Sequence, residues 1–513
     1  MASVREVSSA AHASIHEPFV VGAGVRRALL TEITDLAWLA IPMFFSSVSW
    51  SIMKTTDTAL LGHTSDDALE AATLSDLWTM TSGVLVMSRC LGTLCGQAYG
   101  ADNKPLVGIW LQISYLVLFV TCLPVAGLWC LTEPVLRATG KGHWAASAGY
   151  YAMVLALCLP ARIAYSQLTS FFASQRIVSP SVTCSTVGMV TNLVAGIVLV
   201  LGFPPLGFSG FGFNVCPWVT TSVEYVQFLV LWLIYCVGLG FHKECWPGWS
   251  WHHITRDRLC RYMKLYIPGS LSMAESFWRM AIVGAVAAGL GDMQVAVFSV
   301  GYRIAWLSLS FTGAAVDAAN VKIGLALGAG NVAAAKRSMR ACFIIITLVV
   351  ILLAGVVELS PHSIARLFSS SERVQAIFVE SRRSFAAFVV FMVLGNAFDS
   401  MVGAMGHVNI VFVAGLISSW AGQVPFAILF TRFWRNDLVG LYAGVNVGSS
   451  FLSLILGGFL LVVDWEQLAL EAQERSEMQG PRPGSTTTSM VSLQPASDGQ
   501  KGTGEIVTQR LHA

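Results

Sequence analysis

The residues of this sequence that could do chemistry are ionisable side chains set inside long apolar runs. Glu275 lies seven residues after Pro268 in an apolar stretch, and Asp399 sits in FVVFMVLGNAFDSMVGAM, a run with no other charge. Asp57 lies near the end of the first apolar run, and Asp76, Arg89, Arg162, Glu224, Arg279, Arg303 and Asp317 are the other embedded charges. A charge in hydrocarbon is costly, so such a group faces the bundle interior or a watery cavity and is a functional candidate by default. A buried carboxyl can take up a proton, bind Na+ or pair with an organic cation, so ion and substrate compete for one place. Each candidate also has a structural alternative. Arg279 follows Glu275 by four residues, Lys54 precedes Asp57 by three, and both spacings put the partners on one helix face. Arg303 is a further possible charge partner. Trp278, Tyr302 and Trp306 lie near the carboxylates along the chain and could hold planar cations by stacking and cation–π contact. Interfacial aromatics would look the same in sequence.

The elements that must position these groups are membrane helices. Of 513 residues, 55% are hydrophobic and 12% charged, about half the share usual in soluble domains. Mean hydropathy is +0.66. These figures exclude a soluble enzyme, a disordered scaffold and a disulfide-stapled secreted domain. The net charge of +2 gives no reason to expect nucleic acid as a partner. The eleven cysteines are scattered, without metal or redox spacing, and read as small core residues. There is no Gly-x4-Gly-Lys-Ser/Thr, so no built-in ATP site is expected.

Apolar stretches fall near 35–61, 69–95, 108–131, 148–172, 179–203, 216–240, 262–289, 293–315, 337–357, 381–405, 408–432 and 437–463. At about 20 apolar residues per span, this predicts about 12 transmembrane helices. The expected fold is an all-α polytopic membrane protein. Its parts are an N-terminal arm (1–33), helices 1–6 (34–240), a basic linker (241–264), helices 7–12 (265–463) and a disordered tail (464–513). Lys and Arg number about 14 on the side of the N-terminus and about 8 on the other, which predicts both termini in the cytoplasm.

The two halves carry an internal repeat. Asp66 stands 24 residues after Pro42 and Asp292 stands 24 after Pro268. GQAYGADN (96–103) then matches GLALGAGN (324–331) at Gly, Ala, Gly, Ala and Asn. With six spans per half, the halves share orientation, giving two parallel six-helix lobes framing a central cavity. The small residues permit close helix approach and a sharp turn, and no substrate contact is expected of them. Gln97 and Gln112 read as turn and helix-end residues without chemistry.

LGTLCGQAYGADNKPLVGIWLQ (91–112) resembles the signature after the second helix of multidrug and toxic compound extrusion (MATE) transporters. VKIGLALGAGN (321–331) resembles the segment after their eighth. Pro268 with MAESFW (273–278) is similar to the start of the seventh helix of eukaryotic members, and DTALLGHTSDDALEAATL (57–74) is similar to the first loop. The resemblance covers about residues 30–460. It implies a secondary antiporter exporting organic, often cationic, compounds for H+ or Na+, with no catalytic residues, metal or cofactor beyond that ion. Glu275 and Asp399 fall on the family's seventh-helix glutamate and tenth-helix aspartate, and Asp57 on its first-helix acid. Asn192 fits the fifth-helix asparagine, but the position four residues on is Gly196. Two further acids seen in eukaryotic members are Met280 and Arg303 here. The partners implied are small organic molecules and the bilayer, with a monomer in the plasma membrane or a vacuole-like membrane. The rival readings are an organic-acid exporter of the same family and a flippase of lipid-linked precursors. A channel or receptor is disfavoured by the repeat. A major-facilitator transporter is disfavoured by the second loop, GADNKPLVG.

Overall fold

The computed structural model describes residues 3–477, apart from 88, 141, 203–206 and 369–370. No β-strand occurs among the described residues. That follows from a chain this apolar, because in lipid a helix satisfies its own backbone groups. The first half runs α1 (Ser3–Gly62), α2 (Asp66–Gly83), α3 (Cys90–Gly100), α4 (Lys104–Cys130), α5 (Thr132–Ala138), α6 (Gly142–Ala156), α7 (Leu159–Ser174), α8 (Ser179–Gly196) and α9 (Cys216–Val230). The second runs α10 (Arg256–Ala288), α11 (Asp292–Gly328), α12 (Val332–Leu359), α13 (Pro361–Phe368), α14 (Glu372–Ala404), α15 (Val408–Leu416), α16 (Val424–Phe433), α17 (Leu438–Val462) and α18 (Trp465–Glu477).

Among the described residues nine helices are long and apolar enough to cross a membrane, and α6 with α7 adds a tenth span bent by 46°. Two further stretches have the length. One is α2 with α3, interrupted at 84–89, where the sequence read a continuous run over 69–95. The other is α10, whose hydropathy is lowered by Arg256, Arg258, Arg261, Lys264, Glu275 and Arg279. Together these make twelve spans.

Two apolar cores organise them. One is built from Leu60 to Tyr266 and includes Trp110, Trp129 and Phe171. The other draws on residues from Val283 to Ala472, plus Leu36. The first helix long and apolar enough to span lies within Arg27–Gly62. Within the expected arm of 1–33, Glu32 is tied to the bundle by Lys322 (2.6 Å) and by Ser338 Oγ (2.6 Å). The 241–264 segment is held to α4 by Gln112, whose Nε2 donates to Gly248 O at 2.7 Å.

The tail is corrected at its start. Residues 465–477 form α18, with Trp465, Leu468, Ala469 and Ala472 buried in the second core. The rest of the expected tail, 478–513, lies outside the described residues.

The repeated octapeptides fold alike. Asn103 Oδ1 caps α4 through Leu106 N, and Asn331 Oδ1 caps α12 through Ala334 N. Asn103 N donates to Ala98 O at 2.9 Å, and Asn331 N to Ala326 O at 2.8 Å. Both turns need one left-handed residue: Asp102 has φ 58° and Gly330 has φ 70°. An alanine there would carry about 1–2 kcal/mol of left-handed strain. Gly330→Ala is thus expected to lower the thermal unfolding temperature in detergent, with Asp102→Gly shifting it less.

Candidate functional site

In the second half, α10 carries Glu275 into the bundle. The residue is 3% exposed, and its Oε1 has no hydrogen-bond partner among the described residues. Its other oxygen lies against Gly415, where a Cβ would come within 3.2 Å of it. Between α15 and α16 the chain winds more widely, in π fashion, over Ile417–Gln423. Such windings recur at functional sites because they redirect side chains. Here the winding places Ser419 close enough to influence the Glu275 carboxylate. It also turns Gln423 to Arg279, whose Nη1 donates to Gln423 Oε1. Gln423 Nε2 in turn donates to Ser418 Oγ at 3.3 Å.

The expected Glu275–Arg279 ion pair is therefore not formed within 4 Å. Arg279 spends its contact on Gln423, although it stays within electrostatic reach of Glu275. Arg303 is exposed and makes no ion pair among the described residues, which corrects its reading as a charge partner. Tyr302 and Trp306 meet edge to face at 6.0 Å, and Phe277 packs beside Trp306 at 6.3 Å. Trp278 instead donates from Nε1 to Thr81 O at 3.3 Å, tying α10 to α2.

Asp399 on α14 lies within electrostatic reach of Glu275. Arg89, from the break before α3, lies within electrostatic reach of Asp399 as a counter-charge. Arg89 Nη1 donates to Ser400 Oγ at 2.8 Å, and the same guanidinium lies within electrostatic reach of Asp317 on α11. The contact continues along α3. Thr93 Oγ1 donates to Gly403 O at 3.5 Å, and Gln97 Nε2 to Ala404 O at 3.4 Å. Residues 89, 93 and 97 recur every four positions, so they share one face of the helix.

The first half holds a second carboxylate centre. Asp57 is 5% exposed and accepts from Asn192 Nδ2 at 3.0 Å and from Thr220 Oγ1 at 3.0 Å. Thr220, on α9, completes what Gly196 left short, while Gly196 makes room for Leu60. Lys54 does not pair with Asp57. Both Asp57 oxygens already accept a hydrogen bond, and Lys54 Nζ lies 3.7 Å from Asp76. Close by, Arg162 reaches Glu224 through Nε (3.0 Å) and Nη2 (2.8 Å). Removing one member of so buried a pair costs about 3–5 kcal/mol.

The comparisons with known proteins fit this architecture. The MatE family model matches residues 42–198 and 268–429, one segment in each half. The chain belongs to the MatE family. It is a multi-pass membrane transporter, not an enzyme. It is similar to multidrug and toxin extrusion protein 1 of Danio rerio, 25% identical over 88% of this chain and 75% of that protein. Its human counterpart is 23% identical over 90% of this chain and 81% of that protein. Among solved structures, the eukaryotic MATE transporter AtDTX14 superposes with a TM-score of 0.79 at 22% identity, over 87% of this chain and 99% of that one. A MATE family transporter in an outward-facing conformation gives 0.71 at 18% identity, covering 86% and 97%.

Against this fold, the structure brings Glu275 and Asp399 within electrostatic range of each other and brings Asp57 and Asn192 into contact. Sequence reasoning missed Thr220, Ser419 and Gln423, and it named Arg89 only as an embedded charge. Gln97 and Gln112, read as inert, are both buried anchors.

Proposed function

We propose that this MatE-family chain is an antiporter that exports small organic compounds, cations foremost, in exchange for H+ or Na+. The reading places both termini in the cytoplasm. Glu275 and Asp399 form the shared site in the second half, while Asp57, Asn192 and Thr220 form a second carboxylate centre. The observation that carries it is the Glu275 carboxylate: buried, without an ion pair, and with Oε1 unpartnered. A buried carboxylate in that condition gains from any cation that reaches it, whether proton, Na+ or organic cation. Mutual exclusion at one carboxylate couples the two flows, since each occupant biases the conformational equilibrium by its own differential affinity. The ring cluster of Phe277, Tyr302 and Trp306 supports planar cations as cargo.

Exchange in proteoliposomes tests this. Ethidium uptake is expected when a pH or Na+ gradient is imposed, and it should collapse when the gradient is dissipated. Uptake of citrate without uptake of ethidium would replace the reading with organic-acid export. Transport of neither, with movement of lipid-linked precursors, would replace it with a flippase.

A further inference from the structure

The helix α18 joins elements that alternating access must separate. It follows α17 directly, and Asp464 Oδ1 caps its start by accepting from Glu466 N at 2.9 Å. Its apolar face is built into the second core, and the Lys336 ammonium sits 6.0 Å from the Trp465 ring. Its other contacts reach the first half. Asn103 Nδ2, in the first repeat turn, donates to Ser476 O at 2.7 Å. Arg475 Nη1 donates to Gln97 Oε1 at 2.9 Å and to Met405 O at 3.4 Å, while Nη2 holds Glu471 at 3.1 Å. The Arg475 guanidinium fits over Gly406, where a Cβ would approach Nη1 to 2.3 Å. Gln473 fits over Gly330 of the second repeat turn in the same way, at 2.6 Å. One short helix therefore grips both repeat turns and the turn after α14.

We propose that α18 is a latch on the end of the transporter that is closed where α3 meets α11 backbone to backbone at Gly96 and Gly324, with Arg475 as the positioning residue that holds Gln97 of α3 to the α14–α15 turn. Because α18 is packed in the second core, parting α3 from α11 breaks the Arg475–Gln97 and Asn103–Ser476 contacts. The closed end opens only when this grip is released. The proposal rests on the antiport reading, in which that end must open once per cycle. Neither Gln97 nor Arg475 touches the carboxylate sites.

The test bridges the latch reversibly in the full chain. Gln97→Cys and Arg475→Cys are introduced together, with the exposed Cys130 and Cys260 changed to Ser, and the pair is joined by a cleavable bis-thiol cross-linker. The unbridged protein is expected to take up ethidium in proteoliposomes, the bridged protein at least tenfold more slowly, and cleavage should restore the rate. A merely structural α18 would not be harmed by being tied down, so equal rates before and after bridging overturn the latch. No uptake by the wild-type chain under any gradient overturns the antiport reading instead. As a second measurement, Arg475→Gln should speed hydrogen exchange at least tenfold in both 465–477 and 97–103. Unchanged exchange in either segment overturns the proposal.

Discussion

Glu275→Gln is expected to abolish gradient-driven exchange while leaving the yield of folded protein unchanged. The substitution keeps the size and hydrogen-bonding reach of the side chain, so its packing against Gly415 is undisturbed. It removes the one property on which coupling rests, a charge that a proton or cation can neutralise. Coupling between two ligands is ordinarily worth about 1–3 kcal/mol, so its loss should lower driven uptake by roughly 5–150-fold. The structural alternative makes an opposite forecast. If Glu275 existed to neutralise Arg279, the amide would strand a buried guanidinium, at about 3–5 kcal/mol of stability. The Arg279–Gln423 hydrogen bond argues against that, because Arg279 keeps this partner when Glu275 is neutral. Uptake under an imposed gradient and melting in detergent are therefore measured on the same preparation. Lost uptake with unchanged melting is the expected result. Unchanged uptake removes Glu275 from the mechanism, and lowered melting returns it to a structural role.

The parts of this site that are charged were legible in the sequence, because a lone carboxylate stands out in an apolar run. Glu275, Asp399 and Asp57 were found that way. Their neutral partners were not. Ser419, Gln423 and Thr220 are uncharged and stand beside other small polar residues such as Ser418, Thr221 and Ser222, so none gives contrast, and the π winding that aims the first two has no mark in the sequence. Pairing by helix spacing failed twice for one reason. Lys54 and Arg279 each have a carboxylate three or four residues away, yet each finds a partner on another helix. The spacing reports which groups can meet, not which alternatives the rest of the bundle offers. The docking of α18 did have a signal: Trp465, Leu468, Ala469 and Ala472 recur at helical spacing within an otherwise polar stretch. Overall polarity of the tail masked it. The repeat is the most legible feature, since its Gly-Ala-x-Asn turn is contiguous and its geometry local, but its purpose lies in a contact between the halves that the sequence does not show.

That purpose predicts the second large effect. The octapeptides do more than turn the chain: they bring α3 and α11 into backbone contact. A Cβ on Gly100 would stand 2.1 Å from Leu325 O, and a Cβ on Gly328 would stand 2.0 Å from Gln97 O. The same exchange, each half's glycine against the other half's carbonyl, makes the contact symmetric about the repeat. Gly96 and Gly324 face each other between them, a Cβ on either lying 3.7 Å from the other's Cα. Helices in membranes associate through such close packing, because lipid offers no hydrophobic drive between them. Backbone cannot yield as a flexible side chain can, so Gly100→Ala or Gly328→Ala must push the helices apart. Overpacking of this kind costs about 1–3 kcal/mol. The cost falls only on the state in which this end is closed, so it shifts the conformational equilibrium by roughly 5–150-fold toward the open end. Both variants are expected to assemble in the membrane and to lose most driven exchange. Spin labels placed on α4 and α12 near this end should report a longer distance in each variant than in the wild type. An unchanged distance distribution with full activity would mean that the two helices close by another surface, and that the repeated glycines serve the turns alone.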